Sequence, residues 1–498
     1  MKYLLAGISV IAALALNELN LSFIRDQNPH NTGNNTVSTL RNVTVWSVDN
    51  EYYISPPDNF LAGKGWRRTE AVGPAANFRR VPGYSLLYFS CVSLFGPNTG
   101  LFILKYFQLF LFALSVIAIH GICTLYFGSQ TALWVTGLYG FTPFFSSFTA
   151  FTLTESITPS LMVFYLFFLA KAQHTTDLKK TMSYMAASFF IGAAILTRPY
   201  MGIAGILLPA FIIMDYKRDI PALMKNLVVC GCLPVLMIAG WGMRNYLSTG
   251  EPVMLEKAYH PTSIDRFKPE FRGLFRFVKS WGEDGTFFNT YQLPMWAAAR
   301  MGDTGFVHIR KTIDAWPENV VAQFGEKRLT DVLRKYQEAS LAQHPYIMEM
   351  KPMPGTWLPV QIEAEEMFNT LTEEFRSEHP VEAYVIAPFR YLKRMVVHSN
   401  TSHIFLFQEP FRGNIILNGM RYFLALLHFL LYVSIPMAIF KARRNLRLLF
   451  IAAVPVIAII FFCFFHREVE QRYMLPFLPL VVVGIGALRL KIDDSRIP

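Results

Sequence analysis

The chain has 498 residues, of which 53% are hydrophobic and 16% charged, with 46 Lys and Arg against 35 Asp and Glu. A soluble chain carries about 25% charged residues, so this composition excludes an ordinary soluble globular protein. The formal net charge of +11 is explained by cytoplasmic loop anchors that meet anionic head groups; with no RNA- or DNA-binding motif, nucleic acid is not an expected partner.

The fold class expected is all-α: a polytopic helical bundle of about ten spans, with apolar runs near 3–24, 101–123, 130–149, 157–172, 182–197, 200–214, 222–242, 418–440, 446–465 and 474–490. A run of about 20 apolar residues, rising about 1.5 Å each, crosses a hydrocarbon core of roughly 30 Å. The first run has two readings: a signal peptide cut after Ala13-Leu14-Ala15, or a retained helix to about Ile24. Arg198-Pro199 reads as a tight turn between two short spans.

Basic residues set the orientation. Lys171, Lys179 and Lys180, then Lys217, Arg218 and Lys225, then Lys441, Arg443, Arg444 and Arg447, and finally Lys491 all fall on one side. If that side is cytoplasmic, both chain ends lie inside and two segments lie outside, 25–100 and about 245–417. Pro82 to Gly96 is apolar but only about 15 residues long, short for a span, and is expected to lie in or dip into the interface. The larger segment is expected to be helical, with amphipathic helices over Asp314–Gln343 and Gln361–Ser377 and breaks at Pro345, Pro352, Pro354 and Pro359. The organisation is then 1–246 with the first outer loop, an extracytoplasmic segment 247–417, and a membrane module 418–498.

The five cysteines are scattered; Cys230-Gly231-Cys232 is too close for a zinc knuckle, and free thiols are expected. Asn34 and Asn42 head glycosylation triplets. Histidines are dispersed and no paired-carboxylate metal motif appears. No cofactor is assigned; a divalent cation at Glu155 is the weaker option there, beside pairing with an arginine.

Asp49-Asn50-Glu51-Tyr52-Tyr53 follows Trp46 in the first loop. Asp49 is either a solvated loop acid or a general base at the membrane surface. Arginines recur at the outer ends of spans: Arg79, Arg80, Arg198, Arg244, Arg467 and Arg472. Guanidinium groups bind phosphate oxygens in pairs, so a lipid phosphate is one explanation for them. The other is ion pairing with Glu155, Glu468 or Glu470, or interface anchoring.

The ordered set Asp49 with Tyr52-Tyr53, Arg80-Val81-Pro82-Gly83-Tyr84, Leu94-Phe95-Gly96, Thr154-Glu155-Ser156, Leu196-Thr197-Arg198-Pro199, Trp241-Gly242-Met243-Arg244-Asn245-Tyr246 and Gln471-Arg472-Tyr473-Met474-Leu475-Pro476 resembles the GT-C class of membrane glycosyltransferases. The resemblance is to the group that includes protein O-mannosyltransferases and the lipid A aminoarabinose transferase. It implies an inverting transfer from a polyprenyl-phosphate-sugar donor to a lipid, glycan or protein acceptor on the non-cytoplasmic face; a bacterial inner membrane is the expected location because the sequence carries no organelle retention signal. It assigns catalysis to Asp49, with Glu51 as a second candidate because Asn50 interrupts the usual Asp-Glu pair. Substrate binding falls on Tyr53, Arg79, Arg80, Tyr84, Glu155, Arg198, Arg244, Arg472 and Tyr473. The alternatives are a transporter or flippase of lipid-linked sugars, or a glycan polymerase or ligase.

Overall fold

In a computed structural model, residues 1–27, 43–44, 48–69, 73–283, 285–397 and 415–490 are described. Trp46, Asn34, Asn42 and Lys491 lie outside them. The described elements are all helical, and all ten apolar runs fold as helix. The chain begins with α1 (Lys2–Gln27), followed in the first loop by α2 (Glu51–Leu61) and α3 (Gly83–Phe95). Next come α4 (Pro97–Phe127), α5 (Ser129–Phe141), α6 (Thr158–Gln173) and α7 (Asp177–Ile195). A 3-10 stretch, Pro199–Ile206, leads into α8 (Leu207–Tyr216), and α9 is Ile220–Thr249. Among the described residues six segments are both long and apolar enough to cross a membrane: Lys2–Leu19, Pro97–Phe127, Pro199–Tyr216, Ile220–Thr249, Asn418–Ala442 and Leu446–His466. The remaining runs pack among these, and the chain is an integral, multi-pass membrane protein.

The expected span at 130–149 is shorter than predicted. α5 stops at Phe141 because Pro143 has no N–H to continue the ladder, and short helical turns carry the chain on to Ala150. α3 is a 13-residue helix, about 20 Å long, too short to cross. It folds back along the first half of α4 after Gly96, whose φ of 76° reverses the chain, and Gly100 meets the backbone of Cys91 and Val92.

The second domain is built from α10 (Pro269–Ser280), α11 (Leu293–Arg300), α12 (Phe306–Asp314), α13 (Glu318–Phe324), α14 (Glu326–Leu341) and α15 (Pro359–Glu378). Apolar residues of α10 recur at Phe271, Leu274, Phe277, Val278 and Trp281, the spacing of one helix face. They bury against Leu333, Tyr336, Phe368 and Phe375 in a core separate from that of the bundle. The single helix expected over Asp314–Gln343 is three pieces. Pro317 ends one turn, and Gly325, at φ 73°, takes a left-handed conformation that a side chain would resist. Helix α16 (Ala387–Val397) then leads toward the last spans, α17 (Ile415–Ala442), α18 (Leu446–Ile460, continued by a π turn to His466) and α19 (Leu478–Gly486).

The bundle has two unlike ends. At one, Asp215 accepts from Tyr184 at 2.8 Å, lies 3.2 Å from Lys180 and pairs with Arg447, which also reaches Gln173 at 3.3 Å. This basic face joins the ends of α6, α7, α8 and α18. The other end carries the first loop and the second domain. From Lys180 to Arg198 the chain climbs 18 residues, about 27 Å as helix, close to the thickness of a hydrocarbon core. All five cysteines are free; Cys91, Cys123, Cys230 and Cys463 are buried and Cys232 is exposed.

Candidate active site

Four stretches meet at the domain end of the bundle. The first holds Asp49 in a 3-10 turn, Val48–Asn50, just before α2. Asn50 is fully buried and donates to the Thr152 hydroxyl at 2.8 Å. The stretch around Thr152 is itself anchored: Asn17 of α1 donates to Thr149 at 2.9 Å, and Gln108 of α4 donates to the carbonyl of Thr149 at 2.9 Å and that of Phe151 at 3.2 Å. These bonds satisfy polar groups that would be costly to bury alone. They also fix Asp49, through its neighbour, to the membrane helices.

Glu155 follows in the turn Thr154–Ser156, its side chain fully buried and accepting from Thr154 at 3.0 Å. Arg198 ends α7. It precedes a proline, so it adopts extended backbone (φ −148°, ψ 114°) and cannot prolong the helix. Its guanidinium donates to Thr154 at 2.5 Å, pairs with Glu155 and donates to the Tyr200 hydroxyl. Arg472 comes from the loop after α18. It pairs with Glu470, donates to Asp49 Oδ2 at 2.5 Å and lies 3.8 Å from Glu155 Oε1. Three carboxylates thus surround one planar cation.

Charge decides the state of the acids. Burial alone would raise the Asp49 carboxyl, but the charge and hydrogen bond of Arg472, with the charges of Arg80 and Arg198, hold it below the usual carboxylate range. For Glu155, burial is likewise outweighed by Arg198 and Arg472. Glu470 goes the other way, since its burial exceeds what Arg472 returns. Asp49 retains 27% side-chain exposure against none for Glu155. It is therefore held ionised and partly exposed.

The expected residues divide into two sets. Asp49, Tyr53, Arg80, Tyr84, Glu155, Arg198, Arg472 and Tyr473 are gathered at this end. Tyr84 donates to Gln108 at 2.6 Å and packs edge-on to Tyr53, and Tyr473 donates to Glu468 at 3.3 Å. The charge of Arg80 acts on both Asp49 and Tyr53. Arg80 is 3.6 Å from Glu256, keeps 36% side-chain exposure, and its Nε has no hydrogen-bond partner among the described residues. Arg79 and Arg244 are turned elsewhere. Arg79 is 3.1 Å from Asp265, donates to the carbonyl of Ala258 and stacks on Phe267. Arg244 donates to the carbonyls of Asn77 at 2.8 Å and Trp66 at 2.5 Å and stacks on Trp241, stapling the first loop to α9. Glu51 opens α2, where its charge acts on Tyr88, the partner of Asp58.

Sequence reasoning gave no site role to Asn50, Gln108, Thr152, Thr154, Tyr200 or Arg68. Arg68 and Arg80 both stand over the Tyr52 ring, at 4.1 and 5.1 Å from its centre. Thr149, Thr152 and Thr154 recur within an otherwise apolar stretch, a signal that this stretch turns its polar side to a common partner. Among the described residues no group of three or more His, Cys, Asp or Glu side chains is arranged to hold a metal ion.

Fold and site together define a polytopic helical membrane protein with a largely buried charge cluster, in which Asp49 is held ionised and partly exposed, at the end that bears its second domain. No family model matches the chain, and no curated protein does. Solved structures similar to it include the oligosaccharyltransferase of Archaeoglobus fulgidus in complex with Zn and sulfate, at 13% identity and TM-score 0.39, covering 97% of this chain and 48% of that one. The same protein tethered with an acceptor peptide gives 14% identity and TM-score 0.44, covering 98% and 49%. ArnT from Cupriavidus metallidurans in the apo state gives 15% identity and TM-score 0.33, covering 89% and 72%. Both proteins are GT-C glycosyltransferases. The chain spans about half the length of the oligosaccharyltransferase.

Proposed function

We propose that the protein is an inverting glycosyltransferase that takes a sugar from a polyprenyl-phosphate carrier on the non-cytoplasmic side of the membrane, with Asp49 as the base. One observation carries this reading: a partly exposed, ionised carboxylate shares a charge cluster with Arg472, Arg198 and Arg80 at the end of the bundle that bears the second domain. The basic face at the opposite end then lies in the cytoplasm.

The carrier's prenyl chain stays in lipid, and its phosphate meets Arg80, the guanidinium of the three whose hydrogen-bonding capacity is least filled. An acceptor hydroxyl or amine attacks the anomeric carbon from the face opposite the phosphate. The new bond to the acceptor forms as the bond from carbon to phosphate oxygen breaks. The electron pair leaves with the phosphate, whose growing charge Arg80 stabilises, and the acceptor's proton passes to Asp49. Because Asp49 is held ionised by Arg472, it takes that proton late, once bond formation has made the acceptor acidic. The second domain and the first loop bound the side from which an acceptor approaches. Tyr53, whose ring meets Tyr84 edge-on, lies within the field of Asp49 and Arg80.

The test uses purified protein in liposomes containing a polyprenyl-phosphate sugar and a hydroxyl acceptor. Asp49→Asn is expected to insert and bind the carrier while transfer falls by about 10²–10⁴. Undiminished transfer in that variant would remove Asp49 as base. Movement of labelled lipid-sugar across the bilayer with no new glycosidic bond would replace the enzyme with a transporter.

A further inference from the structure

Helix α16 joins the second domain to the last spans, and its two sides differ. One side is built into protein. Ala387, Tyr391 and Met395 are fully buried. The Tyr391 hydroxyl donates to the carbonyl of Glu283 at 2.5 Å, while Arg390 and Arg394 donate to the carbonyls of Trp281 at 2.5 Å and Gly282 at 2.7 Å. These bonds hold α16 on the C-terminal end of α10. The other side carries an apolar stretch in the π turn Glu382–Ile386 and just before it, with Val381, Tyr384, Val385 and Ile386 exposed, and continues on α16 as Phe389, with Arg390, which pairs with Glu382, and Lys393 exposed beside it. Val381, Val385 and Phe389 follow one another at four-residue spacing, so they form a continuous stripe. Burying a large apolar side chain is worth about 1.5–3 kcal/mol, and an exposed contiguous stripe marks a contact surface.

The height of α16 identifies what covers that stripe. The Nε2 of His428 donates to the carbonyl of Met395 at 2.8 Å. His428 stands on α17, 14 residues before Ala442 at the basic face (442 minus 428). That rise is about 21 Å, whereas the hydrocarbon core measures roughly 30 Å. Tilt of α17 would only shorten it. The end of α16 is therefore about 9 Å inside the hydrocarbon on the domain side. Phe389 is six residues earlier on α16, up to about 9 Å higher, which puts it at the boundary. The stripe is also continuous with a membrane-spanning surface: the Phe389 ring lies 6.4 Å from Phe464, which is exposed together with Phe465 at the end of the α18 span.

We infer that α16 is a half-inserted helix whose exposed apolar stripe rests at the boundary of the acyl chains in the leaflet on the domain side, with the exposed Lys393 reaching back to the head groups, seating the second domain at a fixed height on the bilayer. This does not depend on the proposed sugar transfer. It bears on the charged site through Lys279 of α10, which donates to the carbonyl of His466 at 2.8 Å and lies 3.4 Å from Glu468, in the loop that carries Arg472.

The experiment uses the full chain in liposomes. Cys232, the exposed thiol, is replaced by Ser, and Val385→Cys, Phe389→Cys and, in the aqueous domain, Ile362→Cys are labelled with bimane. The labels at 385 and 389 are expected to be quenched at least twofold by shallow doxyl-phospholipid and shielded from iodide, with the reverse at 362. Quenching of 385 and 389 by iodide alone would overturn the proposal, as would shielding from both quenchers, which would mean that protein covers the stripe. A second arm needs no variant: the unaltered protein is irradiated in liposomes containing a phospholipid with a diazirine in its acyl chain. Adducts are expected in the peptide containing residues 381–389. Their absence while α17 and α18 are labelled would refute the insertion.

Discussion

Arg472 reaches Asp49 across 423 positions of sequence, Nη1 to Oδ2 at 2.5 Å, while its Nε pairs with Glu470. A planar fork can meet both carboxylates at once; an ammonium is a single point charge. Arg472→Lys is therefore expected to lower transfer by about 10²-fold with insertion intact. The Asp49 carboxyl is held below its ordinary value of 3.8, so its pairing stabilises the site above about pH 4 and is lost as pH falls through the depressed value. In Arg472→Lys the acid limb of the pH–rate profile should move upward. An unmoved limb would detach that ionisation from Asp49.

Gly83 is where the first loop touches the hairpin turn. Its N–H donates to the carbonyl of Leu196 at 2.6 Å, and a Cβ added there would stand 2.6 Å from that same oxygen and from Thr197 Oγ1. Gly83→Ala must push Arg80 and Tyr84 away from Arg198. A loss of about 1–3 kcal/mol is expected, read as a lower melting temperature, together with loss of transfer. Ser85→Ala, two residues along the same helix, should do neither.

Asn50 is a clamp and not a substitute acid. Asn50→Ala removes its bond to Thr152 and should cost about 1–3 kcal/mol. Asn50→Asp would place a second carboxylate beside Asp49 and turn an acceptor toward Thr152. Restored or raised activity in Asn50→Asp would show that the position belongs to the chemistry.

In the second domain, Lys268 and Glu270 are both almost wholly buried. Burial raises Glu270 to about 8 and lowers Lys268 to about 8. Between the ordinary Glu value of 4.5 and pH 8, folded Glu270 holds a proton that the unfolded chain releases, so stability falls as pH rises. Between pH 8 and the ordinary Lys value of 10.5, the unfolded chain holds the extra proton, so stability rises again. Melting of the domain, followed by tryptophan fluorescence, should pass through a minimum near pH 8. Glu270→Gln should remove the acid-side slope and leave the alkaline one.

At the basic face, Asp215 is buried between Lys180 and Arg447. Asp215→Asn leaves the two cations facing each other. Breaking a buried pair from one side costs about 3–5 kcal/mol, and the partial exposure of both cations puts the expectation at the lower end. Adding Arg447→Met should recover part of the loss. A melting temperature unchanged in Asp215→Asn would show the node to be slack.

Much of this arrangement was legible in the sequence because a bilayer imposes simple rules. Long uncharged runs must be helices that satisfy their own backbone, and Lys and Arg sort by side, so the basic face was readable from Lys180 and Arg447. Asp49, Arg198 and Arg472 stood out as charges at span ends. Which arginines share a pocket was not readable. Arg244 and Arg79 look like Arg198 in one dimension, but backbone carbonyls of the first loop and of Ala258, with Asp265, draw them away. Nor was the break of Asp314–Gln343 foreseen, although Pro317 and Gly325 stand in plain view.

The link from Asp49 to Arg472 also has a consequence in time. At roughly 5–20 residues per second of synthesis, the guanidinium emerges about 20–80 s after the carboxylate it meets. Until then Asp49 has only the charges of Arg80 and Arg198 to offset its burial and lacks the hydrogen bond from Arg472. The charge cluster is thus completed only after α18 has been made, and a nascent chain stalled within α18 lacks the guanidinium that meets Asp49.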